Sequence, residues 1–326
     1  MKITVIGTGG WGTALAVLLH GNGHRVTLWG RMAEEVDPIL THRENKLFLP
    51  GVAIPSEIAV TCDPAAAGQA ELVVLAVPSH GMRTICRQLK PHLPATAMLV
   101  HVAKGIEVDS DARMSEVISQ ELGHQSAVLS GPSHAEEVGR GVPTAVVVAG
   151  PDADPVRAAF RNERFRIYTH DDVIGVELGG ALKNVIAIAA GVCDGIGFGD
   201  NTKAALCTRG LAEMARFGAA LGARSETFFG LSGVGDLIVT AFSRHSRNRG
   251  FGERLGRGES AQHILDTTKT VAEGVKTAKS IEQLARRLGV EMPIAQEVFA
   301  IIYAGKSPQQ AVRDLMLREA KPEFGK

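Results

Sequence analysis

The sequence predicts an α/β fold in two parts, a doubly wound, mostly parallel sheet over residues 1–170 followed by an all-helical domain over residues 171–326. The first half repeats a short β-branched apolar run, a turn marked by Gly or Pro and a longer amphipathic segment, which is the rhythm of βαβ units. From Asp171 onward, Ala, Leu and Gly become more frequent and apolar residues recur at helical spacing. A glycine-rich turn directly after the first apolar run is the third indication.

Seven apolar runs fit the strands of this sheet: residues 3–6, 25–29, 72–77, 97–103, 127–130, 144–148 and 165–168. Most are continuously hydrophobic, as expected of strands in a parallel sheet that is covered on both faces. Asp171 and Asp172 are N-cap candidates for a long first helix of the second half, and Thr169 and His170 suit a hinge. We therefore place the domain boundary near residue 170.

Length and charge limit the classes of function. A chain of 326 residues has room for two domains of about 150 residues. Lys plus Arg total 35 and Asp plus Glu total 35, so no overall field attracts a polyanion or an anionic membrane. With two Trp and two Tyr in the chain, stacking platforms for single-stranded nucleic acid are scarce. We expect no nucleic-acid partner.

The cysteines and the N-terminus indicate a reducing setting. Cys62, Cys86, Cys193 and Cys207 form no CxxC pair and have no zinc-ligand spacing, so we expect isolated reduced thiols and no metal. The apolar run at residues 3–6 is too short for a signal peptide, and no later apolar stretch approaches the ~20 residues that span a bilayer. The expectation is a cytoplasmic protein without a membrane span.

The run GTGGWGT predicts dinucleotide binding. Gly7, Gly9 and Gly12 stand in G-x-G-x-x-G register between the first strand and a helical stretch at residues 13–20. In this pattern the first glycine permits the tight turn, the second lets the backbone approach a pyrophosphate, and the third allows close helix packing. The phosphates then lie at the N-terminus of the helix. This context favours a Rossmann-like cofactor domain over a merely structural turn.

The end of the second strand bears on the choice of cofactor. About 20 residues after the first glycine, where a carboxylate would take the ribose 2′-hydroxyl, the chain has Trp29, Gly30 and Arg31. A guanidinium can pair with a 2′-phosphate or lie against the adenine, so NADPH should be accepted at least as well as NADH. The alternative is that Arg31 is a plain surface charge. Glu34 and Glu35 lie a few residues further on, so NAD remains an alternative cofactor.

Lys183 is the candidate proton donor. Hydride transfer to a ketone needs a proton for the developing alkoxide, and Lys183 stands beside Asn184 in the stretch GGALKNVIAIAAG. A lysine among apolar neighbours tends to have a lowered pKa, which suits acid–base work near neutral pH. The alternative is a lysine that extends from a helix face to water.

Two further candidates follow predicted strands. Lys104 comes after the strand at residues 97–103, so its ammonium would lie at the carboxyl end of the sheet, where ligands of open α/β folds bind. Gly131 and Ser133 follow the next strand and open a helix, where backbone N–H groups and a hydroxyl could meet a ligand. On local grounds an ordinary strand-to-helix turn fits the second segment equally well.

The second half adds a polar pair and a basic turn. Asp236 and Thr240 are four residues apart, which places them on one face if the segment is helical. Ser246, Arg247 and Asn248 stand at an expected helix start, an arrangement suited to a phosphate monoester. A solvated charged face and an RNA-binding stripe are the alternatives for this basic segment.

Seven segments together resemble NAD(P)-dependent glycerol-3-phosphate dehydrogenases, and the resemblance extends nearly from end to end. They are GTGGWGTALA at 7–16, VPSH at 77–80, AKG at 103–105, SGPSHAEEV at 130–138, ALKNVIAIAAGVCDGIGFGDN at 181–201, GVGDLIVT at 233–240 and SRNRGFG at 246–252. The segments around Lys183 and Ser246 are far more specific than the glycine pattern.

The resemblance implies roles for individual residues. Lys183 matches the proton-transfer lysine, and the residues implied around the reacting carbonyl are Lys104, Asn184, Asp236 and Thr240. The implied substrate contacts are Lys104, Gly131, Ser133, Lys183, Asp236 and the phosphate-binding trio Ser246, Arg247 and Asn248. The implied cofactor contacts are Gly7, Gly9, Gly10, Trp11, Gly12, Arg31, Lys104, Ala135, Arg247, Val271 and Glu273.

The resemblance also implies the reaction, a reversible hydride transfer from NADPH or NADH to C2 of dihydroxyacetone phosphate that gives sn-glycerol 3-phosphate for glycerophospholipid synthesis. It implies a homodimer in many cases, although nothing in this sequence shows an interface. Two other hypotheses are a hydroxy-acid dehydrogenase of the 6-phosphogluconate or hydroxyisobutyrate type and a non-catalytic dinucleotide sensor. The phosphate trio argues against the former, and the intact set of Lys183, Lys104 and Asp236 argues against the latter.

Overall fold

The computed structural model describes residues 1–108, 110–268, 272–320 and 322–323. In the first half it has the strands β1 (Lys2–Ile6), β2 (Arg25–Trp29), β3 (Glu44–Asn45), β4 (Leu49–Ala53), β5 (Ala59–Thr61), β6 (Leu72–Leu75), β7 (Met98–His101), β8 (Ala127–Ser130), β9 (Thr144–Ala149) and β10 (Phe165–His170). The helices between them are α1 (Gly10–Gly21), α2 (Ala33–His42), α3 (Met82–Leu89), α4 (Met114–Leu122), α5 (Ala135–Gly139) and α6 (Ala153–Phe160).

Eight of these strands form one sheet in the order β10-β9-β8-β7-β6-β1-β2-β5. Neighbouring strands are parallel except for the antiparallel pair β8 and β9. The chain moves outward from β1 to β2 and β5 and then returns to β6 on the other side of β1. This reversal creates the crevice in which open α/β sheets bind ligands, at the carboxyl ends of the strands. The doubly wound, mostly parallel sheet predicted from the sequence is confirmed.

All seven predicted strands are present, with differences at their ends. β6 ends at Leu75 and β7 at His101, earlier than predicted, because the chain leaves the sheet there and continues as the loops of the site. The short strands β3, β4 and β5 were not predicted. Their runs of two to five residues mix exposed and buried positions and carry little apolar pattern.

The second half is helical, as predicted. Its helices are α7 (Val173–Ile196), α8 (Asp200–Ala220), α9 (Asp236–Phe242), α10 (Arg247–Gly256), α11 (Ala261–Thr267), α12 (Glu273–Leu288), α13 (Pro293–Tyr303) and α14 (Pro308–Met316). A π-helical turn at Leu231–Gly235 leads directly into α9. The apolar faces of these helices pack into one core around α7.

Helix α7 is the central element of this half. Contrary to the expectation from the sequence, it is long and apolar enough to cross a membrane by length and composition, but 89% of its most apolar window is buried inside the protein. Buried residues include Glu177, Lys183 and Asn184, which interrupt the apolar run and face protein groups. In the part of the chain that the structure describes, α7 is therefore the core helix of the second half.

The two halves join through a very short connection. Asp172 caps α7 by accepting a hydrogen bond from the Gly175 amide at 2.8 Å, as predicted. Thr169 and His170, predicted to form a hinge, are instead the last two residues of β10. The sheet therefore leads almost directly into the central helix.

Helix α10 packs closely on α7 through glycines. A Cβ built on Gly252 would overlap the Ile188 carbonyl, and one built on Gly191 would overlap the Arg249 carbonyl. Backbone therefore lies against backbone along this contact, and the N-terminus of α10 is brought beside the middle of α7. This close packing fixes the position of Ser246, Arg247 and Asn248 relative to α7.

Candidate active site

The glycine turn has the shape that a dinucleotide needs. Gly7 has φ +118°, and a Cβ there would overlap the Ala76 carbonyl, while a Cβ on Gly12 would overlap the Gly7 carbonyl. Gly9, the N-cap of α1, has open space among the described residues where its Cβ would project. Two glycines thus close the turn and the third leaves an open face at a helix N-terminus. These residues fit a bound pyrophosphate.

Asn45 on β3 stabilises this turn. Its side-chain amide donates to the Thr8 carbonyl at 2.6 Å and to the Thr13 hydroxyl at 2.9 Å, and the side chain is buried. Sequence reasoning missed this residue because a lone asparagine on an unpredicted two-residue strand shows no pattern. The contact joins β3 to both ends of the glycine turn.

Two opposite charges follow β2. Arg31 is exposed, and its Nη2 lies 3.9 Å from Met32 Sδ. The Glu35 carboxylate points back to the glycine turn and accepts a hydrogen bond from the Thr8 hydroxyl at 3.1 Å. Both the arginine and the carboxylate that the sequence offered for the adenosine ribose thus follow the same strand.

Four other predicted cofactor residues, Gly10, Trp11, Ala135 and Glu273, contact the first half. Trp11 and Ala135 are partly buried against the core of the first half, and a Cβ on Gly10 would lie 3.6 Å from that of Ala135. Glu273 is the first residue of α12, and its carboxylate accepts a hydrogen bond from the Ser79 amide at 3.4 Å. Val271 lies outside the described residues.

One carboxylate binds both candidate lysines. Lys183 Nζ lies 3.0 Å from Asp236 Oδ1 and donates to the Thr240 hydroxyl at 2.6 Å. Lys104 Nζ lies 2.7 Å from Asp236 Oδ2 and donates to the Gly131 carbonyl at 3.0 Å. Asp236 and Thr240 share one face of α9, as their spacing predicted. The loop after β7, α7 and α9 therefore meet at a single buried carboxylate.

The surroundings set the charge states of this group. Burial is the main cause that lowers the pKa of Lys183, to about 8; Asp236 opposes the shift and the nearby Lys104 ammonium adds to it. Burial would raise the pKa of Asp236, but the two ammonium groups outweigh it and hold that pKa below its usual range. Lys183 can therefore give and take a proton near neutral pH while Asp236 stays ionised.

Two asparagines connect this centre to the start of α12. The Asn184 amide donates to the Lys104 carbonyl at 3.3 Å, and its oxygen accepts from the Asn248 amide at 2.9 Å. The Asn248 oxygen in turn accepts from the Gly274 backbone amide at 2.9 Å. Both side chains are buried and have protein partners, so they fix the relative positions of the loop after β7, α7, α10 and α12.

The predicted phosphate residues lie at the N-terminus of α10. Ser246 is the N-cap and its hydroxyl accepts a hydrogen bond from the Arg249 amide at 3.2 Å. Arg247 is the first residue of the helix and is exposed. Across the crevice, the Ser133 hydroxyl donates to the Gly131 carbonyl at 2.8 Å, the same oxygen that Lys104 contacts. Ser133 thus shares an acceptor with the lysine centre, and Asn248 connects the start of α10 to Asn184 beside Lys183.

Glu273 adds a second acidic group. Burial raises its pKa, and this effect is partly opposed by Arg247, by the Ser79 amide and by Lys183 and Lys104. A carboxyl with a raised pKa can take up a proton more readily than an exposed one. It lies on the wall that α12 contributes to the crevice.

His134 is a site residue that sequence reasoning missed, although it lies in the segment SGPSHAEEV. Its ring centroid lies 5.9 Å from that of His245, which precedes Ser246, and its Nε2 has no hydrogen-bond partner among the described residues. Burial lowers its pKa, and the Lys183 charge adds to that effect. The two histidines connect the loop after β8 to the loop before α10.

The described residues contain free thiols but no grouped metal ligands. All four cysteines are free thiols, and burial raises the pKa of Cys86 to about 12 and those of Cys193 and Cys207 to about 11. Within residues 1–108, 110–268, 272–320 and 322–323, no three His, Cys, Asp or Glu side chains are grouped to hold a metal. Lysines and a carboxylate are the charged groups that the described residues bring together at Asp236.

Comparison with known proteins agrees with this geometry. Residues 2–155 match the family model for the NAD-dependent glycerol-3-phosphate dehydrogenase N-terminus, and residues 172–313 match the model for its C-terminus. A glycerol-3-phosphate dehydrogenase [NAD(P)+] from Moorella thermoacetica is 52% identical over 321 residues, which are 97% of this chain and 96% of the relative. One from Listeria monocytogenes is 46% identical over 99% of this chain and 98% of its own.

Solved structures give the same result. Glycerol-3-phosphate dehydrogenase from Coxiella burnetii superposes with a TM-score of 0.94 at 36% identity, covering 97% of this chain and 99% of that one. The enzyme from Saccharomyces cerevisiae superposes with a TM-score of 0.83 at 28% identity, covering 98% and 99%. The chain belongs to the NAD-dependent glycerol-3-phosphate dehydrogenase family, and it is an NAD(P)-dependent glycerol-3-phosphate dehydrogenase.

Proposed function

We propose that this enzyme works through the lysine–carboxylate centre at Asp236, reducing dihydroxyacetone phosphate to sn-glycerol 3-phosphate and catalysing the reverse reaction. The observation that carries the proposal is that Lys183 and Lys104 both contact Asp236, at 3.0 and 2.7 Å, beside a helix N-terminus suited to phosphate. NADPH or NADH, when bound at the glycine turn, supplies the hydride to C2 of the ketone.

The substrate phosphate binds at the N-terminus of α10. Ser246 is the N-cap of this helix, Arg247 is its exposed first residue, and a helix N-terminus offers backbone N–H groups to an anion. Asn248 braces this turn through its contacts with Asn184 and Gly274. Gly131 and Ser133 close the opposite side. Binding energy at the phosphate then orients the ketone at the lysines.

Lys183 acts as the acid in reduction and as the base in oxidation. Its Nζ gives a proton to the oxygen at C2 as the alkoxide forms, and Thr240 holds the ammonium in position. Lys104 is held close by Asp236 and Gly131 and stabilises the developing negative charge. Asp236 stays charged and keeps both ammonium groups from separating.

Cofactor choice depends on the two charges after β2. Arg31 is free to meet a 2′-phosphate, whereas Glu35 lies at the glycine turn where a ribose 2′-hydroxyl could bind. We expect NADPH to be used at least as well as NADH. Arg31→Ala should lower kcat/KM for NADPH about tenfold, the size of one charged hydrogen bond, and leave the value for NADH within twofold. Equal losses with both cofactors would contradict this role for Arg31.

The wider assignments combine the sequence patterns, which give the domain boundary and the cytoplasmic setting, with the family resemblance, which gives the role of the product. Residues 1–170 act as the dinucleotide domain and residues 171–326 as the substrate domain, in a cytoplasmic enzyme whose product supplies glycerophospholipid synthesis. Family relatives suggest a homodimer, which sedimentation measurements on the purified protein would test.

The test of the reaction is cofactor oxidation followed at 340 nm with purified protein. Dihydroxyacetone phosphate should support rapid oxidation of NADPH, and unphosphorylated dihydroxyacetone should lose several hundredfold in kcat/KM because the α10 terminus has no phosphate to bind. If NADPH binds but neither compound causes its oxidation, the assignment of the substrate is overturned. Turnover with a 3-hydroxy acid or with 6-phosphogluconate in the oxidative direction would then support the alternative hypothesis.

A further inference from the structure

A second buried carboxylate joins the two halves outside the reacting centre. Glu177 lies on α7, and its side chain is 4% exposed. It accepts hydrogen bonds from Arg113 Nη1 at 2.5 Å and from the backbone amide and hydroxyl of Ser115 at 2.8 and 2.7 Å. His101 Nε2 lies 3.1 Å away. Every one of these partners belongs to the first half of the chain.

This contact is strong because the carboxylate is fully partnered. Burial would raise the pKa of Glu177, but His101 and Arg113 together with the Ser115 amide outweigh that effect and hold its pKa below the usual range. Arg113 is itself steadied by Glu116, 2.8 Å away on its other side. A buried charge with several donors accepts little displacement, since each lost donor leaves it poorly solvated.

One partner of Glu177, His101, lies close to Lys104 along the chain. His101 is the last residue of β7 and stands three residues before Lys104. On α7, Gly180 lies against the Lys104 stem, where a Cβ would come 3.4 Å from Lys104 Cγ. One turn further along the helix, Asn184 donates to the Lys104 carbonyl at 3.3 Å. Helix α7 therefore runs along the segment after β7, with Glu177 at one end of the contact and Asn184 at the other.

Lys183 lies on this same length of helix. It is six residues after Glu177, about 9 Å along the axis at 1.5 Å per residue. A slide or rotation of α7 against the end of β7 would move Lys183, together with the Asp236 carboxylate that it binds on α9, away from Lys104. None of the described contacts of Glu177 reaches Lys104, Lys183 or Asp236, so its influence passes through the position of the helix.

We propose that Glu177 is a positioning residue of the dehydrogenase, holding α7 against the start of α4 and the end of β7 in the register that places Lys183 and Lys104 on the two oxygens of Asp236. This proposal rests on the proposed function of the lysine centre. It assigns to an interdomain ion cluster a role in kcat, beyond its contribution to stability.

A change in pH dependence separates positioning from stability. The groups that set the charge of Lys183 are Asp236, Lys104 and Glu273, and His134 lies near enough to sense it. Because the Lys104 ammonium lowers the pKa of Lys183, a looser register would weaken that effect and raise the pKa. The alkaline fall in the rate of ketone reduction would then move to higher pH.

The test compares Glu177→Gln with the wild-type enzyme. The glutamine keeps the size of the side chain but sets an amide against the Arg113 guanidinium. We expect kcat for dihydroxyacetone phosphate reduction to fall at least tenfold, since a displacement of ~1 Å can cost ~10²-fold. The Kd for NADPH, measured by fluorescence titration, should stay within twofold, and the alkaline limb should shift upward.

Glu121→Gln is the matched control. Glu121 lies on α4, the helix that carries Ser115, and binds Arg83 and Arg87 at 2.5 and 2.9 Å, but these partners lie on α3 in the first half. Its loss should lower thermal stability and leave kcat and the alkaline limb as in the wild type. A shift of the limb in the control would overturn the proposal, because it would show that any lost ion pair has this effect.

Ser115→Ala covers the case in which Glu177→Gln fails to fold, because it removes one hydroxyl donor and leaves the ion pair. It should lower kcat a few-fold and shift the limb in the same direction. Folded variants with wild-type kcat and an unmoved limb, or with activity lost only in proportion to folded protein, would overturn the proposal. Absence of wild-type turnover with dihydroxyacetone phosphate would overturn the proposed function instead, so the two failures are distinguishable.

Discussion

At the scale of single residues, the proposed chemistry depends on how two ammonium groups share one carboxylate. Burial lowers the pKa of Lys183 to about 8, against the opposing effect of Asp236, while the contacts at 3.0 and 2.7 Å keep Asp236 ionised. A lysine with an ordinary pKa near 10.4 would hold its proton too tightly to act as a base near neutrality. The arrangement therefore serves both directions of the reaction.

The pH dependence follows from the lowered pKa of Lys183. Reduction needs the ammonium form, so its rate should be constant below pH 8 and fall as pH rises through about 8. Oxidation needs the free amine, so its rate should rise over the same interval. Profiles of kcat in both directions, recorded at saturating cofactor and substrate, measure this. Two profiles that rise together through pH 8 would contradict the assignment of Lys183.

A matched pair of glycines tests the cofactor turn. Gly9→Ala places a methyl group in open space, so the protein should keep its Tm while the Kd for NADPH rises at least tenfold because the pyrophosphate meets that methyl. Gly12→Ala drives a methyl into the Gly7 carbonyl and should unfold or strongly destabilise the first half. Thermal melts and NADPH titrations read both effects. Unchanged NADPH affinity in Gly9→Ala would show that the cofactor lies elsewhere.

At the scale of elements, the close contact of α7 with α10 places the phosphate-binding turn. Gly252→Ala would drive a methyl into the Ile188 carbonyl, at a cost of about 1–3 kcal/mol, and would push Ser246 and Arg247 from the lysines. The KM for dihydroxyacetone phosphate should therefore rise.

Gly250 in the same helix supplies the control. No described atom lies within 4 Å of a Cβ at this position, so Gly250→Ala should raise helix stability by up to about 1 kcal/mol. It should leave the KM for the phosphate substrate unchanged. Equal KM values for Gly252→Ala and Gly250→Ala would contradict the claim that close packing of α10 on α7 fixes the position of the phosphate-binding turn.

The elements also show what sequence reasoning could reach. Seven of the strands, the glycine turn and the pair Asp236 and Thr240 follow from local patterns, because apolar runs and helical spacing act over a few residues. Asn45, His134 and Glu177 could not be found this way. Their partners lie at sequence separations such as the 62 residues between Glu177 and Ser115, and no local pattern encodes contacts of that kind. The sequence analysis also did not identify α7 as long and apolar enough to cross a membrane, because polar residues such as Glu177, Lys183 and Asn184 interrupt its apolar run.

At the scale of the whole molecule, the site exists because two halves meet. Lys104 with Asp236, Ser79 with Glu273, and Arg113 with Glu177 all cross from the sheet to the helices. A ligand that contacts both halves should therefore stabilise them together. NADPH at 100 times its Kd should add about 2.7 kcal/mol to the free energy of unfolding and raise Tm in one cooperative transition. Two transitions, with only one of them moved by NADPH, would contradict this coupling.

The most direct test of the central claim is kcat of Lys183→Ala for reduction of dihydroxyacetone phosphate, with both substrates saturating. Loss of the proton donor should lower kcat by about 10²–10⁴-fold while the Kd for NADPH stays near the wild-type value. A folded Lys183→Ala enzyme that turns over at the wild-type rate would contradict the account, since the proton would then come from another group.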